Sequence, residues 1–114
     1  MSEYDSTLLR LNKSKFRRKF KLGKKELDII KKKGLKKIES ECREILEKRI
    51  KVKPKNDGRQ TPWKNHPVFI GMHATACCCR KCIQKWYKIP RDRELKKLEI
   101  DFFIGLIMAW IKKN

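Results

Sequence analysis

The sequence predicts a mainly α, small single domain of about four helices around an irregular Cys/His-rich loop segment, with room for a short strand near 68–70. Three observations lead there. Lysine-bearing segments with helical apolar spacing occupy residues 12–50. Residues 60–90 hold both histidines, four of the five cysteines and three of the four prolines. The run from Phe102 to Ile111 is apolar throughout.

At 114 residues the chain is one domain with a modest core, and a metal staple would help to hold it. It divides into a loosely held lead-in (1–11), basic helices (12–50), the Cys/His motif region (51–90) and a buried C-terminal helix (91–114). In Lys13–Leu22, Phe16 and Phe20 are four apart. One helical turn buries both, leaving Arg17, Arg18, Lys19 and Lys21 outside. Lys24–Lys33 follows with Leu27, Ile29 and Ile30 on its apolar face, and Gly34 is its stop. Leu35, Ile38, Cys42, Ile45 and Leu46 trace an amphipathic stripe over about 35–50. Cys42 in that stripe is most simply core.

Lys51–Gln60 reads as a loop turning at Asn56-Asp57-Gly58. Asp57 is the only acid between Val52 and Arg91, and a turn role suits it better than a metal-binding or base role. His66-Pro67 disfavours helix at His66, which suggests extended chain and a strand at Val68-Phe69-Ile70. A helix is expected from about Cys78 to Lys85, ending before Ile89-Pro90. The last helix opens within Arg91–Lys97, with Asp92 as a possible cap. Its ten-residue apolar stretch spans about 15 Å, too short for a bilayer core of about 30 Å. It is a core helix or half of a homodimer interface.

The chemistry concentrates between His66 and Cys82. Zinc takes thiolate and imidazole ligands, and Cys79-Arg80-Lys81-Cys82 has the spacing by which a short turn offers two sulfurs to one ion. Cys78 shares a face with Cys82 if the segment is helical. The candidate metal set is His73, Cys79 and Cys82 with one of Cys78 or His66. Adjacent Cys78 and Cys79 reach one ion together only across a bent backbone. A cluster of buried thiols, a disulfide or an iron–sulfur cluster are the other readings of the same residues. Arg80, Lys81 and Lys85 crowd the sulfurs and favour thiolate.

These residues also carry a resemblance. Asp57-Gly58-Arg59-Gln60-Thr61-Pro62, His66-Pro67-Val68-Phe69, His73-Ala74-Thr75-Ala76, Cys78-Cys79-Arg80, Cys82, Lys85-Trp86 and Ile89-Pro90 are similar to the pattern of the family catalogued as domain of unknown function 4186. The similarity extends to Phe16-Arg17 and to Met108–Ile111. It implies a compact single-domain family and names no activity. It also implies that Cys77, where the pattern is loose, is the first cysteine to drop from a site. Tyr87 stands where the family pattern implies a histidine, and Lys96 where it implies a threonine.

The charge is extreme: 32 basic against 13 acidic residues, net +19. Such a field attracts polyanions, above all nucleic acid. Lysine outnumbers arginine, which also fits a solvated coat. The sequence therefore supports a small basic nucleic-acid-binding protein with a Cys/His zinc site. Arg17, Arg18, Arg59, Arg80, Lys81 and Lys85 are the candidate nucleic-acid contacts, and Trp86 and Tyr87 are either stacking or core residues. A metal-dependent, nuclease-like enzyme is the second class, with one nearby acid against it. The deaminase pattern fails because Thr75 stands where its glutamate is required. A thiol-based redox sensor or adaptor is the third. The opening residues lack the order of a signal peptide, and an odd number of cysteines suits reduced thiols in the cytoplasm.

Overall fold

A computed structural model describes residues 2–114. All of its regular structure is helical: α1 (Glu3–Leu11), α2 (Lys15–Arg18), α3 (Lys24–Lys33), α4 (Leu35–Arg49), α5 (Pro67–Ala74), α6 (Arg80–Tyr87) and α7 (Lys97–Lys113). The class is as the sequence predicts, with seven helices rather than about four. The radius of gyration is 13.1 Å. A single packed domain of this length has about 13 Å.

Helix α7 is the axis of the fold. Its residues Ile100, Phe103, Ile104, Leu106, Ile107, Met108 and Ile111 are buried, and α1, α4 and α5 pack around it. The covering of α7 is thus supplied largely within the chain. Leu98, at its open end, stays exposed. Among the described residues no helix is long and apolar enough to cross a membrane.

Helix α4 follows the predicted stripe: Ile38, Cys42 and Leu46 are fully buried. Helix α3 follows it less well. Leu27 is exposed, Ile29 and Ile30 are half-buried, and Glu26 is buried. Glu26 accepts the Gly23 and Asn65 backbone N–H groups at 2.9 Å each, tying the start of α3 to the later loop.

Several expectations are corrected. Residues 1–11 are not a loose lead-in from Glu3 onward. Ser2 and Asp5 form a reciprocal cap that starts α1. Tyr4 lies so close over Gly105 that a Cβ there would collide with the Tyr4 hydroxyl. The strand near 68–70 is helix α5 instead. His66, in extended backbone, is its N-cap and Pro67 its first residue, where the missing N–H costs nothing. The His-Pro pair that argued for a strand is a helix start. Seven of the eight α5 residues are buried. Gly71 lets α5 lie directly on α7, since a Cβ there would meet Ile107 Cγ2 at 3.0 Å. Helix α7 starts at Lys97, later than expected, and Asp92 does not cap it. Lys96 at the N-cap offers no acceptor, and Glu99 reaches back to the Lys96 N–H at 2.7 Å.

The short helix α2 reverses its predicted faces. Arg17 is buried, with 8% of its surface exposed, while Phe16 is 41% exposed. The four-residue spacing of the two Phe is met, but the group drawn inward is the guanidinium.

Candidate metal centre

The thiol site is built on the turn between α5 and α6. Helix α5 ends with Ala76 in the left-handed conformation (φ 60°), and the Cys77 N–H bonds back to the Met72 carbonyl at 2.9 Å. The chain then extends through Cys79, the N-cap of α6 (φ −159°, ψ 166°), whose sulfur accepts the Cys82 N–H at 3.4 Å. The first turn of α6 brings Cys82 back under both preceding cysteines.

As a result the sulfurs of Cys78, Cys79 and Cys82 all lie within 4.8 Å of one another. Cys78 Sγ and Cys82 Sγ are 3.7 Å apart. Two sulfurs each about 2.3 Å from one tetrahedral zinc stand about 3.8 Å apart. The donor set therefore fits zinc in chemistry and in spacing. Only one of Cys78 and Cys79 was expected at the site. The extended N-cap followed at once by a helical turn supplies the bend that admits both.

Three side chains from elsewhere in the chain, and Arg80 of the turn itself, fix it in place. Arg17 donates from Nη1 to the His73 carbonyl (2.8 Å) and to Cys78 Sγ (3.7 Å), and from Nη2 to Cys82 Sγ (3.2 Å). Thr61 donates its hydroxyl to the Cys78 carbonyl at 2.6 Å. Asp57 accepts the first two N–H groups of α6, from Arg80 and Lys81, at 2.9 Å each. It is thus a remote helix cap, held in turn by Gln60. Arg80, with none of its surface exposed, reaches the other way and donates to the carbonyls of Lys51, Pro90 and Arg93 at 2.7–3.0 Å.

Electrostatics follow from these contacts. Hydrogen bonds from the Cys78 and Cys79 thiols, and then from Arg17, hold the Cys82 thiol far below its ordinary value. Bonding to Cys79 and Cys82, with burial, holds Cys78 above its own. Burial pushes Cys77 up to about 12 and also raises Cys42. Cys77 lies outside the three-sulfur group, with its sulfur 3.3 Å from the Thr75 hydroxyl. Cys42 is core, as its place in the apolar stripe implied.

Neither histidine joins the sulfurs. His66 Nδ1 accepts the Val68 N–H at 3.1 Å, so its Nε2–H donates to Glu41 at 2.8 Å. Both nitrogens are committed to starting α5 and tying it to α4. His73 places Nε2 at 3.2 Å from the Thr61 and Pro62 carbonyls, and its buried Nδ1 has no partner among the described residues. Burial depresses its pKa, against those carbonyl bonds.

Of the six candidate nucleic-acid contacts, two are corrected. Arg17 and Arg80 are buried with their guanidinium groups bonded inside the protein, so neither can meet a phosphate. Arg18, Arg59, Lys81 and Lys85 are exposed. The Asp57 cap sets the Arg59 loop beside α6, where Lys81 and Lys85 stand one turn apart. Trp86 and Tyr87 are half-buried and pack on the core. The Tyr87 hydroxyl donates to the Thr75 carbonyl, so Tyr87 is a structural tie. Sequence reasoning missed Thr61 and the inward role of Arg17. Their signals were only their places within the motif stretches.

A family model described as Domain of unknown function (DUF4186) matches residues 5–112. No solved structure matches the chain. With nearly its whole length matched, and the thiol turn inside that span, the chain belongs to the DUF4186 family.

Proposed function

We propose that this is a small nucleic-acid-binding protein stapled by a zinc ion on Cys78, Cys79 and Cys82. The observation that carries the metal is the trio of sulfurs, with one pair at 3.7 Å and all within 4.8 Å. Sulfur donors favour zinc over hard cations. The ion would tie the end of α5 to the start of α6, with Arg17 bonding the sulfurs from outside the donor set. Cys78 and Cys79 are almost fully buried, which suits a structural site. The support for nucleic acid is the net +19 and the exposed Arg18, Arg59, Lys81 and Lys85. Reduced cysteines and a thiolate metal site suit the cytoplasm.

A second reading rests on Cys82. Its lowered thiol, at the first turn of a helix and beside Arg17, suits reversible thiol chemistry. The nuclease-like reading has less support. No carboxylate or imidazole joins the sulfurs among the described residues, and Asp57 uses both oxygens on α6.

The test is metal content of protein purified without added metal, with thiols counted before and after chelation. About one zinc per chain is expected, with Cys78, Cys79 and Cys82 unreactive until it is removed. Changing any of these three to Ser should lose the metal, whereas His66→Ala and Cys77→Ser should keep it. No metal and a fast-reacting Cys82 would overturn the zinc centre and favour thiol chemistry. DNA or RNA binding should weaken steeply with salt. Absence of any such binding would remove the nucleic-acid half of the reading.

A further inference from the structure

Trp63 is 60% exposed and Phe16 is 41% exposed, although large aromatic rings are ordinarily drawn into cores. Both belong to one ordered group of rings. Trp63 lies flat on His73, with centroids 4.0 Å apart and planes within 7°. Phe20 is nearly parallel to both, at 6.0 Å from Trp63 and 5.4 Å from His73. Phe16 stands edge-on to Phe20 and Trp63 at 5.3 and 6.4 Å. The His73 end of the group is buried and held by the Thr61 and Pro62 carbonyls. Trp63 is thus fixed from beneath, and most of its surface is left to solvent.

Cations crowd the rings, and the Glu26 carboxylate that bonds the Asn65 N–H of the Trp63 loop is buried. Lys19 Nζ lies 4.4 Å from the Phe16 centroid and 5.5 Å from that of Phe20. Lys15, Arg18, Lys21 and Lys64 are exposed beside the rings in sequence. Among the described residues none of these five cations forms an ion pair, and neither 13–22 nor 61–65 contains an acid. Flat rings with Lys19 against them and four further unpaired, exposed cations within two residues in sequence match a flat base attached to a phosphate chain. Aliphatic docking would not require such cations. A duplex keeps its bases stacked inside and would offer this surface only phosphates.

We propose that the Phe16–Phe20–Trp63 face is a stacking platform for unpaired bases, which makes single-stranded nucleic acid the ligand class. This rests on the nucleic-acid reading above and narrows it to unpaired strands. Lys15, Arg18, Lys19 and Lys64 hold the phosphates that flank the stacked base. The platform also adjoins the thiol turn. Arg17 lies over the Phe16 ring at 4.8 Å while it bonds Cys78, Cys82 and the His73 carbonyl. The order of the sulfurs and the order of the rings therefore depend on one side chain.

The experiment is fluorescence anisotropy with labelled oligothymidylate of about a dozen nucleotides, and with a duplex of equal length, across a salt series. Wild-type protein should prefer the single strand. Trp63→Ala should weaken single-strand binding about tenfold, with duplex binding and the salt slope unchanged. Trp63→Phe, which keeps a ring on His73, should recover most of the affinity and abolish the strand-induced change in tryptophan fluorescence. That variant keeps the test valid if the alanine protein is unfolded. Equal preference for strand and duplex, with Trp63→Ala neutral, would overturn the platform and leave the wider reading standing. No binding of either nucleic acid would overturn both. Loss of self-association in Trp63→Ala, with oligonucleotide binding intact, would assign the face to a second copy and overturn the proposal.

Discussion

Helices α4 and α7 and the turns on either side of α5, Asp57–Thr61 and Cys77–Cys82, are held together by different physics. The two helices bury periodic apolar side chains. Ile38, Cys42 and Leu46 of α4 meet Ile100, Phe103 and Ile107 of α7 in one apolar cluster. The turns, unlike the buried α5 between them, are fixed by polar side chains that grip distant backbone: Arg17 on the His73 carbonyl, Thr61 on the Cys78 carbonyl, Asp57 on the N–H groups of α6, Arg80 on three carbonyls. Area burial is non-directional and tolerates exchange between similar side chains. A buried fork of donors is directional, and removing it strands each acceptor it served. The first region should therefore accept conservative change, and the second should not.

The largest effect tests the second half of that contrast. Arg80→Leu leaves three carbonyls without their donor and should cost roughly 3–5 kcal/mol by chemical denaturation. Arg80→Lys keeps the charge but not the fork, and should still cost about 2 kcal/mol or more. A cost below about 1 kcal/mol in both would break the contrast. The next tests the first half. Leu46→Ala should cost about 3 kcal/mol, because the side chain is fully buried, but Leu46→Met less than about 1.5 kcal/mol. Equal costs for the two would show that α4 also depends on specific shape.

The smallest effect sharpens the contrast at the start of α7, where a polar tie serves the apolar scaffold. Arg93 grips both Glu99 oxygens at 2.8–2.9 Å and holds that carboxyl at about 2, against an ordinary 4.5. The folded state releases this proton more readily than the unfolded state does. The stabilisation is therefore complete above about pH 4.5 and is lost as pH falls toward 2. Glu99 is partly exposed, so Glu99→Gln should cost only about 1 kcal/mol at pH 7, and less at pH 3. A cost that does not shrink on acidification would assign the role of Glu99 to packing.

The legibility of the chain follows the same division. Periodicity exposed α4 and the apolar body of α7 to within a few residues, because a repeating apolar side chain reports one continuous buried face, whereas for α3 it gave the span but not the face. The cysteine spacing pairs Cys79 with Cys82, and only the bend at the N-cap of α6 brings Cys78 to them as well. Helix α5 was misread because His66-Pro67 disfavours helix at the histidine and equally favours its start at the proline. Only the neighbouring fold, with Glu41 waiting for the His66 ring and α7 for Gly71, chose between them. The two histidines lie near the thiols in sequence, but both His66 nitrogens and His73 Nε2 are bonded elsewhere in space.

By itself, then, the sequence determined the helical class, the apolar axis, the basic charge and the spacing of Cys79 and Cys82. All of these depend on residue type at short spacing. Tertiary structure decided which cations face inward. Charge alone distinguishes neither Arg17 from Arg18 nor Arg80 from Lys81. Arg17 and Arg80 are buried because distant carbonyls and sulfurs need donors there, while Arg18 and Lys81 remain in water beside them. Tertiary structure also decided that Phe16 and Trp63 stay outside. The guanidinium of Arg17 takes the inward place on α2, and the rings are left together on the surface.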